Sequence, residues 1–142
     1  MSPSSQERLF RKDYAVELLR IAAEDLRTAE FLLEGLESKR IRGENFFFTL
    51  QQCVEKALKA VLVHRGIPVP LVHDLGILLA KIPRESEPPF GYEIGSLSEF
   101  AAVRRYEEGA LEWGLDEAEE ARDLGRIAID WARGIIGHTG EK

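Results

Sequence analysis

The amino-acid sequence predicts an all-α protein, an antiparallel up-and-down bundle of four to five helices. Three observations support this prediction. Apolar residues recur at helical spacing over long stretches, residues 44–65 contain neither glycine nor proline, and no useful run alternates apolar and polar residues as a β-strand would. Because the loops between the helical stretches are short, consecutive helices should pack as antiparallel neighbours.

The first two helices are the longest expected elements of the first half. One is predicted over 13–36, followed by a polar loop over 37–43. The other, over 44–65, is rich in good helix formers, and Gly66 should end it as a left-handed residue. The core face of the first helix is set by residues three and four positions apart: Tyr14, Leu18, Ile21, Ala22, Leu26, Ala29, Leu33 and Leu36.

Three shorter or less regular helices should follow. The third is predicted over 72–82 and the fourth over 96–107. Asp116 is a suitable N-cap for the fifth, with Glu119 completing a pair that resembles a capping box. Gly134 and Gly137 should let this last helix fray. Its apolar side carries Ala118, Ala121, Leu124, Ala128, Trp131 and Ile135.

Composition limits the class of protein. A length of 142 residues suits one domain over 1–142, with flexible ends expected at 1–12 and 137–142. The net charge of −6 argues against DNA binding in bulk, which needs many Lys and Arg contacts to phosphate. No apolar run approaches the roughly 20 residues of a membrane span, and the opening residues lack the order of a secretory signal. We therefore expect a cytoplasmic protein.

Several classes of site lack their sequence patterns. Neither GxxxxGK[ST] nor GxGxxG is present, so the usual nucleotide-cofactor motifs are missing. The three histidines, His64, His73 and His138, lie far apart without HExxH, and we expect no metal site and no cofactor. Cys53 is the single cysteine, so an internal disulfide is excluded and a packing role is expected.

The second helix has a polar side that allows two interpretations. Four polar residues lie nearly opposite its apolar sector of Phe47, Leu50, Val54, Ala57, Leu58 and Val61. These are Gln52, Glu55, Lys56 and Lys59. In one interpretation they form a solvated face on which Glu55 and Lys59 make an i,i+4 ion pair. In the other, the stripe faces a cleft, an anionic ligand or a second subunit.

Two other short runs could contribute to a site. His73 and Asp74 open the third helix, where Asp74 could cap the helix and His73 would remain a loop residue. An acid–base role for His73 would need a neighbouring carboxylate, so a structural role is favoured. Arg104, Arg105 and Tyr106 could bind phosphate and stack on a base. They could equally be a surface arginine, an internal ion pair and a packed ring.

The run FFFTLQQCVEKALKAVLVHRGIPVPLVHDLGILLAKI, Phe46 to Ile82, resembles the core signature of HEPN (higher eukaryotes and prokaryotes nucleotide-binding) domains. That signature has an aromatic residue, a QQ-x-x-EK-x-x-KA helix, a Gly/Pro loop and a His-Asp-Leu helix start. Arg105 and Tyr106 stand where these domains often carry an Arg-Tyr pair. The other matching positions are Gln51, Gln52, Glu55, Lys56, Lys59, Ala60, Gly66, Pro68, His73, Asp74 and Leu75.

The resemblance implies a helical bundle that is usually a homodimer, often encoded beside a minimal nucleotidyltransferase in a toxin–antitoxin-like pair. It implies a nucleotide- or RNA-binding module, in which Arg105 would hold phosphate and Tyr106 would stack. His73, with Lys56 or Lys59, would line the same cleft. Gln52 and Glu55 would face that cleft or a partner.

Some HEPN domains are metal-independent ribonucleases that use an Arg followed, four to six residues later, by a His. Here Arg104 and Arg105 have no histidine at that interval. Arg133 and His138 meet the spacing, but they lie in a glycine-flanked C-terminal tail. A binding module is therefore expected rather than an enzyme. The alternatives are a ribonuclease using Arg133 and His138, and a structural dimer whose polar stripe is the interface.

Overall fold

Four α-helices form most of the described part of the chain, which comprises residues 7–37, 43–91 and 115–137 of a computed structural model. The all-α prediction is confirmed. The fourth helix expected over 96–107 lies outside the described residues. The helices are α1 (Tyr14–Glu37), α2 (Gly43–His64), α3 (Leu75–Lys81) and α4 (Leu115–Ile136), with two short strands, β1 (Glu7–Arg8) and β2 (Val69–Pro70), and a 3₁₀ turn, Arg84–Ser86.

Helices α1 and α2 pack side by side in opposite directions. Leu18, near the start of α1, shares a cavity wall with Lys59, near the end of α2. Further along α1, Asp25 bonds Lys56, which comes earlier in α2. Such a descending series of contacts is the mark of an antiparallel pair. On the solvent side of α1, Arg20 pairs with Glu24 at 2.5 Å.

Helix α4 lies against both α1 and α2 and approaches both of them closely at Gly125. A Cβ atom at this position would lie 2.7 Å from Cδ1 of Leu50 and 3.2 Å from Cδ1 of Leu26. Real Cβ atoms do not approach other carbons this closely without a shift of one of them. Glycine at this position therefore permits α4 to sit in the groove between the other two helices.

The core is centred on α2, which is enclosed on most of its circumference. The predicted apolar sector of this helix, from Phe47 to Val61, is fully buried. Ala60, Leu62 and Val63, outside that sector, are buried as well. The polar side is not a fully solvated face, because Glu55 on that side is also buried and Gln52, Lys56 and Lys59 are half-buried. Neighbouring residues of α1 and of the α2–α3 connection cover it.

Helix α2 ends in a hydrogen-bonded motif that the sequence predicted at Gly66. Gly66 has a φ angle of +73°, its N–H donates to the carbonyl oxygen of Val63, and the N–H of Ile67 donates to that of Leu62. These two bonds satisfy carbonyl groups that the helix end leaves free, in the Schellman pattern. The turn directs the chain into β2.

Helix α3 begins at Leu75, later than the expected residue 72, because the extended residue Asp74 is its N-cap. The predicted cap is confirmed, since Oδ1 of Asp74 accepts a hydrogen bond of 3.0 Å from the N–H of Ile77. A side-chain oxygen in this position satisfies one of the free N–H groups of the first turn. The His73–Asp74 backbone is thereby fixed at the helix entrance.

Removing this cap should destabilise the protein by about 1 kcal/mol. Asp74→Ala leaves the N–H of Ile77 without its acceptor, whereas Asp74→Asn retains a side-chain oxygen and most of the stability. Urea unfolding followed by circular dichroism measures the difference. Asp130→Ala, at an exposed position inside α4, is the matched control and should change stability by less than about 0.5 kcal/mol. Equal losses at Asp74 and Asp130 would contradict the capping role.

Helix α4 differs from expectation at both of its ends. It begins at Leu115, so Asp116 lies inside the first turn and is not the N-cap. The helix also runs through Gly134 to Ile136 without fraying. It stops at Gly137, whose φ is +91° and whose N–H bonds the carbonyl oxygen of Arg133 at 2.8 Å. Its buried face is formed by Ala118, Ala121, Gly125, Ala128, Ile129, Ala132 and Ile136, with Leu124, Trp131 and Ile135 partly buried.

The two-stranded pairing of β1 with β2 was not predicted. Glu7 lies opposite Pro70 and Arg8 opposite Val69, in antiparallel register. Residues 7 and 8, expected in a flexible end, are therefore paired with the connection that follows α2. Two-residue strands are too short to produce a period-two pattern in the sequence, so this pairing could not be predicted from it.

A small group of polar contacts attaches the segment that follows α3 to α4. The buried Ser86 accepts a hydrogen bond on its Oγ from Nε of Arg65, at 3.0 Å. Its carbonyl oxygen accepts another from Nε1 of Trp131, at 2.8 Å. Phe90 packs edge-on against the same indole. The indole thus buries its apolar body while its N–H is satisfied, as a buried tryptophan requires.

Candidate functional site

The polar side of α2 carries an ion-paired chain from Lys59 through Glu55 to His73. Nζ of Lys59 lies 2.8 Å from Oε2 of Glu55, which confirms the predicted i,i+4 pair. Nδ1 of His73 lies 3.0 Å from the same oxygen and 3.2 Å from Oε1. The side chain of Glu55 is only 5% exposed, and that of Lys59 is 18% exposed. Glu55 is therefore a buried carboxylate held from both sides.

The connection from α2 to α3 positions His73 over this carboxylate. Nε2 of Gln51 donates a 3.2 Å hydrogen bond to the carbonyl oxygen of His73, and the capping residue Asp74 fixes the next position. The imidazole itself is 80% exposed. The neighbouring carboxylate that an acid–base role would need is thus present. Sequence spacing did not reveal it, because 18 residues separate Glu55 from His73.

A second ion pair joins α2 to α1. Nζ of Lys56 lies 2.8 Å from Oδ2 of Asp25 and 3.4 Å from Oε1 of Gln52. Asp25 was not among the residues predicted from the sequence to belong to a site. A signal was available, however, since Asp25 lies three residues after Ala22 and four before Ala29, both of which are buried. That spacing puts Asp25 at the edge of the core face of α1.

The two lysines contribute to the wall of a cavity of about 210 Å³ between the N-terminal segment and α2. One side of the cavity is formed by the rings of Phe10 and Tyr14, which stack with centroids 5.1 Å apart. Beyond this stack lies a wider groove of about 590 Å³, and the guanidinium of Arg8 lies 4.9 Å from the centre of the Phe10 ring. The smaller cavity is lined by Phe10, Tyr14, Leu18, Glu55, Lys56, Lys59, Val69 and Leu71.

The structure brings five of the residues selected from the sequence into one neighbourhood: Gln52, Glu55, Lys56, Lys59 and His73. Arg105, Tyr106 and His138 lie outside the described residues. Arg133 occupies the last turn of α4. Within the described part of the chain, Arg133 makes no hydrogen bond or ion pair with the five clustered residues.

Cys53 lies in the core beside this polar side and is fully buried. Burial raises the pKa of its thiol to about 12, and the negative charge of Asp25 acts in the same direction. The thiol therefore stays protonated at neutral pH and packs as a small apolar group, which confirms the packing role predicted for it.

Alkylation of Cys53 should consequently be slow in the folded protein. At pH 8 we expect iodoacetamide to react at least about 100-fold more slowly than in concentrated urea, because both burial and the raised pKa suppress the thiolate. Mass spectrometry measures the rate. Thr28→Cys in a Cys53→Ala background provides an exposed thiol on α1 as the control. Comparable rates for the native and unfolded protein would show that the thiol is accessible.

No three His, Cys, Asp or Glu side chains in residues 7–37, 43–91 and 115–137 come together in a way that could hold a metal ion. No helix in the same ranges is long and apolar enough to cross a membrane.

Comparison with known families identifies the chain. The family model described as the HEPN domain matches residues 15–135. No curated protein and no solved structure gave a match. The matched region runs from the first turn of α1 to the last turn of α4 and includes the whole Lys59–Glu55–His73 chain. Since it covers well over half of the sequence, the protein belongs to the HEPN domain family.

Proposed function

We propose that this HEPN domain is a nucleotide- or RNA-binding module, acting as a homodimer with a minimal nucleotidyltransferase in a toxin–antitoxin-like pair. The observation that carries the proposal is the cavity in which two lysines of α2 meet a stacked pair of aromatic rings. Ring faces bind bases, and ammonium groups bind phosphate, so the cavity offers both kinds of contact that a nucleotide needs.

The lysines retain binding capacity despite their ion pairs. An ammonium group has three N–H donors, and the contacts of Lys59 within the described residues use one of them, to Glu55. Its partial exposure, at 18%, leaves the remaining donors access to a ligand in the cavity. Because Glu55 and Asp25 already balance the two ammonium charges, hydrogen bonding rather than net charge would hold the phosphate there. Such a site favours one or two phosphates over a long polyanion.

The proposed contacts can be tested by calorimetric titration with AMP, ATP and a short oligouridylate. Tyr14→Leu removes the stacking ring, whereas Tyr14→Phe retains it and serves as the control. A lost stacking contact is worth about 1–3 kcal/mol, so we expect affinity to fall roughly 5- to 150-fold in the leucine variant alone. Binding of none of the three ligands, or binding that is equal in both variants, would exclude this cavity as the site.

The residues proposed from the family signature need separate variants. Arg105→Ala should weaken nucleotide binding if that arginine holds the phosphate. Lys59→Met should weaken nucleotide binding if the phosphate is held in the cavity. His73→Gln tests the remaining predicted contact. Analytical ultracentrifugation, with and without the co-expressed nucleotidyltransferase, tests the dimer and the pair. A monomer that binds no such enzyme would remove that part of the proposal while leaving the nucleotide site intact.

The ribonuclease alternative is tested by the same purified protein. Cleavage of RNA that disappears in both Arg133→Ala and His138→Ala would assign the activity to the C-terminal motif. Cleavage that persists in both variants would exclude that motif.

A further inference from the structure

His73 combines two properties that rarely occur together, a strongly exposed ring and a tightly held ring nitrogen. Its side chain is 80% exposed, whereas its partner Glu55 is 5% exposed. An ionised carboxylate can only accept hydrogen bonds, so the bond to Glu55 requires the proton to be on Nδ1. In the neutral ring the lone pair is then on Nε2. Among the described residues, no hydrogen bond or ion pair occupies that nitrogen.

The surroundings of Glu55 keep this arrangement in place. Lys59 bonds the carboxylate from within α2, and the carbonyl of His73 is bonded by Gln51. The carboxylate is therefore not free to turn away, and the loop is not free to lift the ring. A carboxylate at Nδ1 stabilises the positive charge that develops on an imidazole when Nε2 attacks an electrophile. The geometry thus favours Nε2 as a nucleophile.

The position of the ring indicates what kind of reaction suits it. A base acting on a substrate held by the same chain needs a cavity around it. The cavity beside Glu55 includes Lys59 and Leu71 in its wall but does not include His73. A ring that projects from the surface is instead accessible to a group delivered from outside. This accessibility favours group acceptance over catalysis within an enclosed site.

We propose that His73 is a phosphoryl-accepting residue, with Glu55 as its positioning residue. Nε2 attacks the phosphorus of a reactive donor, an acyl phosphate or a phosphoramidate. The N–P bond forms as the bond from phosphorus to the leaving group breaks, and the leaving group departs with that electron pair as a carboxylate or as ammonia. Nδ1 retains its proton, which remains hydrogen-bonded to Glu55 throughout. This reaction is independent of nucleotide binding in the neighbouring cavity.

The test uses the whole protein and potassium phosphoramidate at neutral pH. Phosphorylation of each histidine is followed by ³¹P NMR and mass spectrometry, in native buffer and in concentrated urea. In the native protein we expect His73 to react at least about tenfold faster than His64 and His138, and in urea we expect the three to react alike. His73→Gln should abolish the fast phase, and His64→Gln should leave it unchanged.

His64 is a useful internal reference. Burial lowers its pKa, and the charges of Lys12 and Arg65 lower it further, so the ring of His64 is unprotonated at neutral pH. A slower reaction at His64 can therefore not be attributed to a protonated ring. Faster or equal reaction at His64 in the native protein would overturn the proposal.

The positioning role of Glu55 has two readouts. Glu55→Gln should reduce the rate at His73 about tenfold relative to His64 in the same molecule. If that variant does not fold, the position of the phosphate in the wild-type product still tests the role of Glu55, because a ring bonded to Glu55 through Nδ1 must carry the phosphate on Nε2. Phosphate found on Nδ1 of His73, or full selectivity retained in folded Glu55→Gln, would contradict the role assigned to Glu55.

Discussion

Replacing Glu55 by alanine should reduce the free energy of unfolding by about 3 kcal/mol. The substitution leaves the ammonium of Lys59 largely buried without its carboxylate, and loss of one partner from a buried pair typically costs 3–5 kcal/mol. We expect a loss at the lower end of this range because Lys59 retains some contact with solvent. Urea unfolding followed by circular dichroism gives the value. The neighbouring His73 should contribute little to this loss, since its ring is mostly exposed.

The matched control removes both charges together. Glu55→Leu combined with Lys59→Met puts apolar side chains of similar size in the same space, so the double variant should recover most of the lost stability. The single variant Lys59→Met leaves Glu55 buried with only His73 as a partner, and it should be destabilised like Glu55→Ala. With the single variant Glu55→Leu completing the double-mutant cycle, a coupling energy below about 0.5 kcal/mol would show that the two residues do not act as a pair.

Replacing Gly125 by valine should cost about 3 kcal/mol. The new side chain would have to displace Leu50 and Leu26, both of which are packed in the core between α2, α1 and α4. Adding carbon atoms to a packed interior forces side chains off their preferred rotamers or separates the helices. The gain in helix propensity over glycine is smaller than this penalty. Thermal and urea unfolding measure the loss.

Gly134→Val is the control for this prediction, since it makes the same change in the same helix. A Cβ atom at Gly134 meets nothing within 4 Å, and so only the helix propensity changes. This variant should be as stable as the parent protein or more stable by a few tenths of a kcal/mol. Equal losses for the two variants would show that backbone conformation, rather than close packing, determines the requirement for glycine at position 125.

The sequence predicts the helices well because each depends on local signals. The apolar sector of α2, the left-handed Gly66 and the Asp74 cap were all predictable from spacing and residue type. Helix starts were less accurate. Asp116 carries a capping signal, yet α4 begins one residue before it, since residues suited to the N-cap are also favourable in the first turn.

The polar contacts of the candidate site depend on tertiary structure, and spacing reveals only those within one helix. The Glu55–Lys59 pair was predicted because four residues separate its members in α2. The partners of Lys56 and Glu55 on other segments, Asp25 and His73, are 31 and 18 residues distant in the chain. A polar stripe opposite an apolar sector suggests exposure, but another helix and a loop can cover it. The burial of Glu55 was therefore missed.

The Lys56–Asp25 contact has a consequence for how α1 and α2 align along their axes. Sliding α1 by one helical turn would keep apolar residues facing α2. It would, however, bring Ile21 or Ala29 opposite Lys56 in place of Asp25, and a half-buried ammonium would lose its counter-charge. Misaligned packings of the hairpin are thereby penalised, and this pair of charges acts together with the close packing of the apolar residues to fix the register.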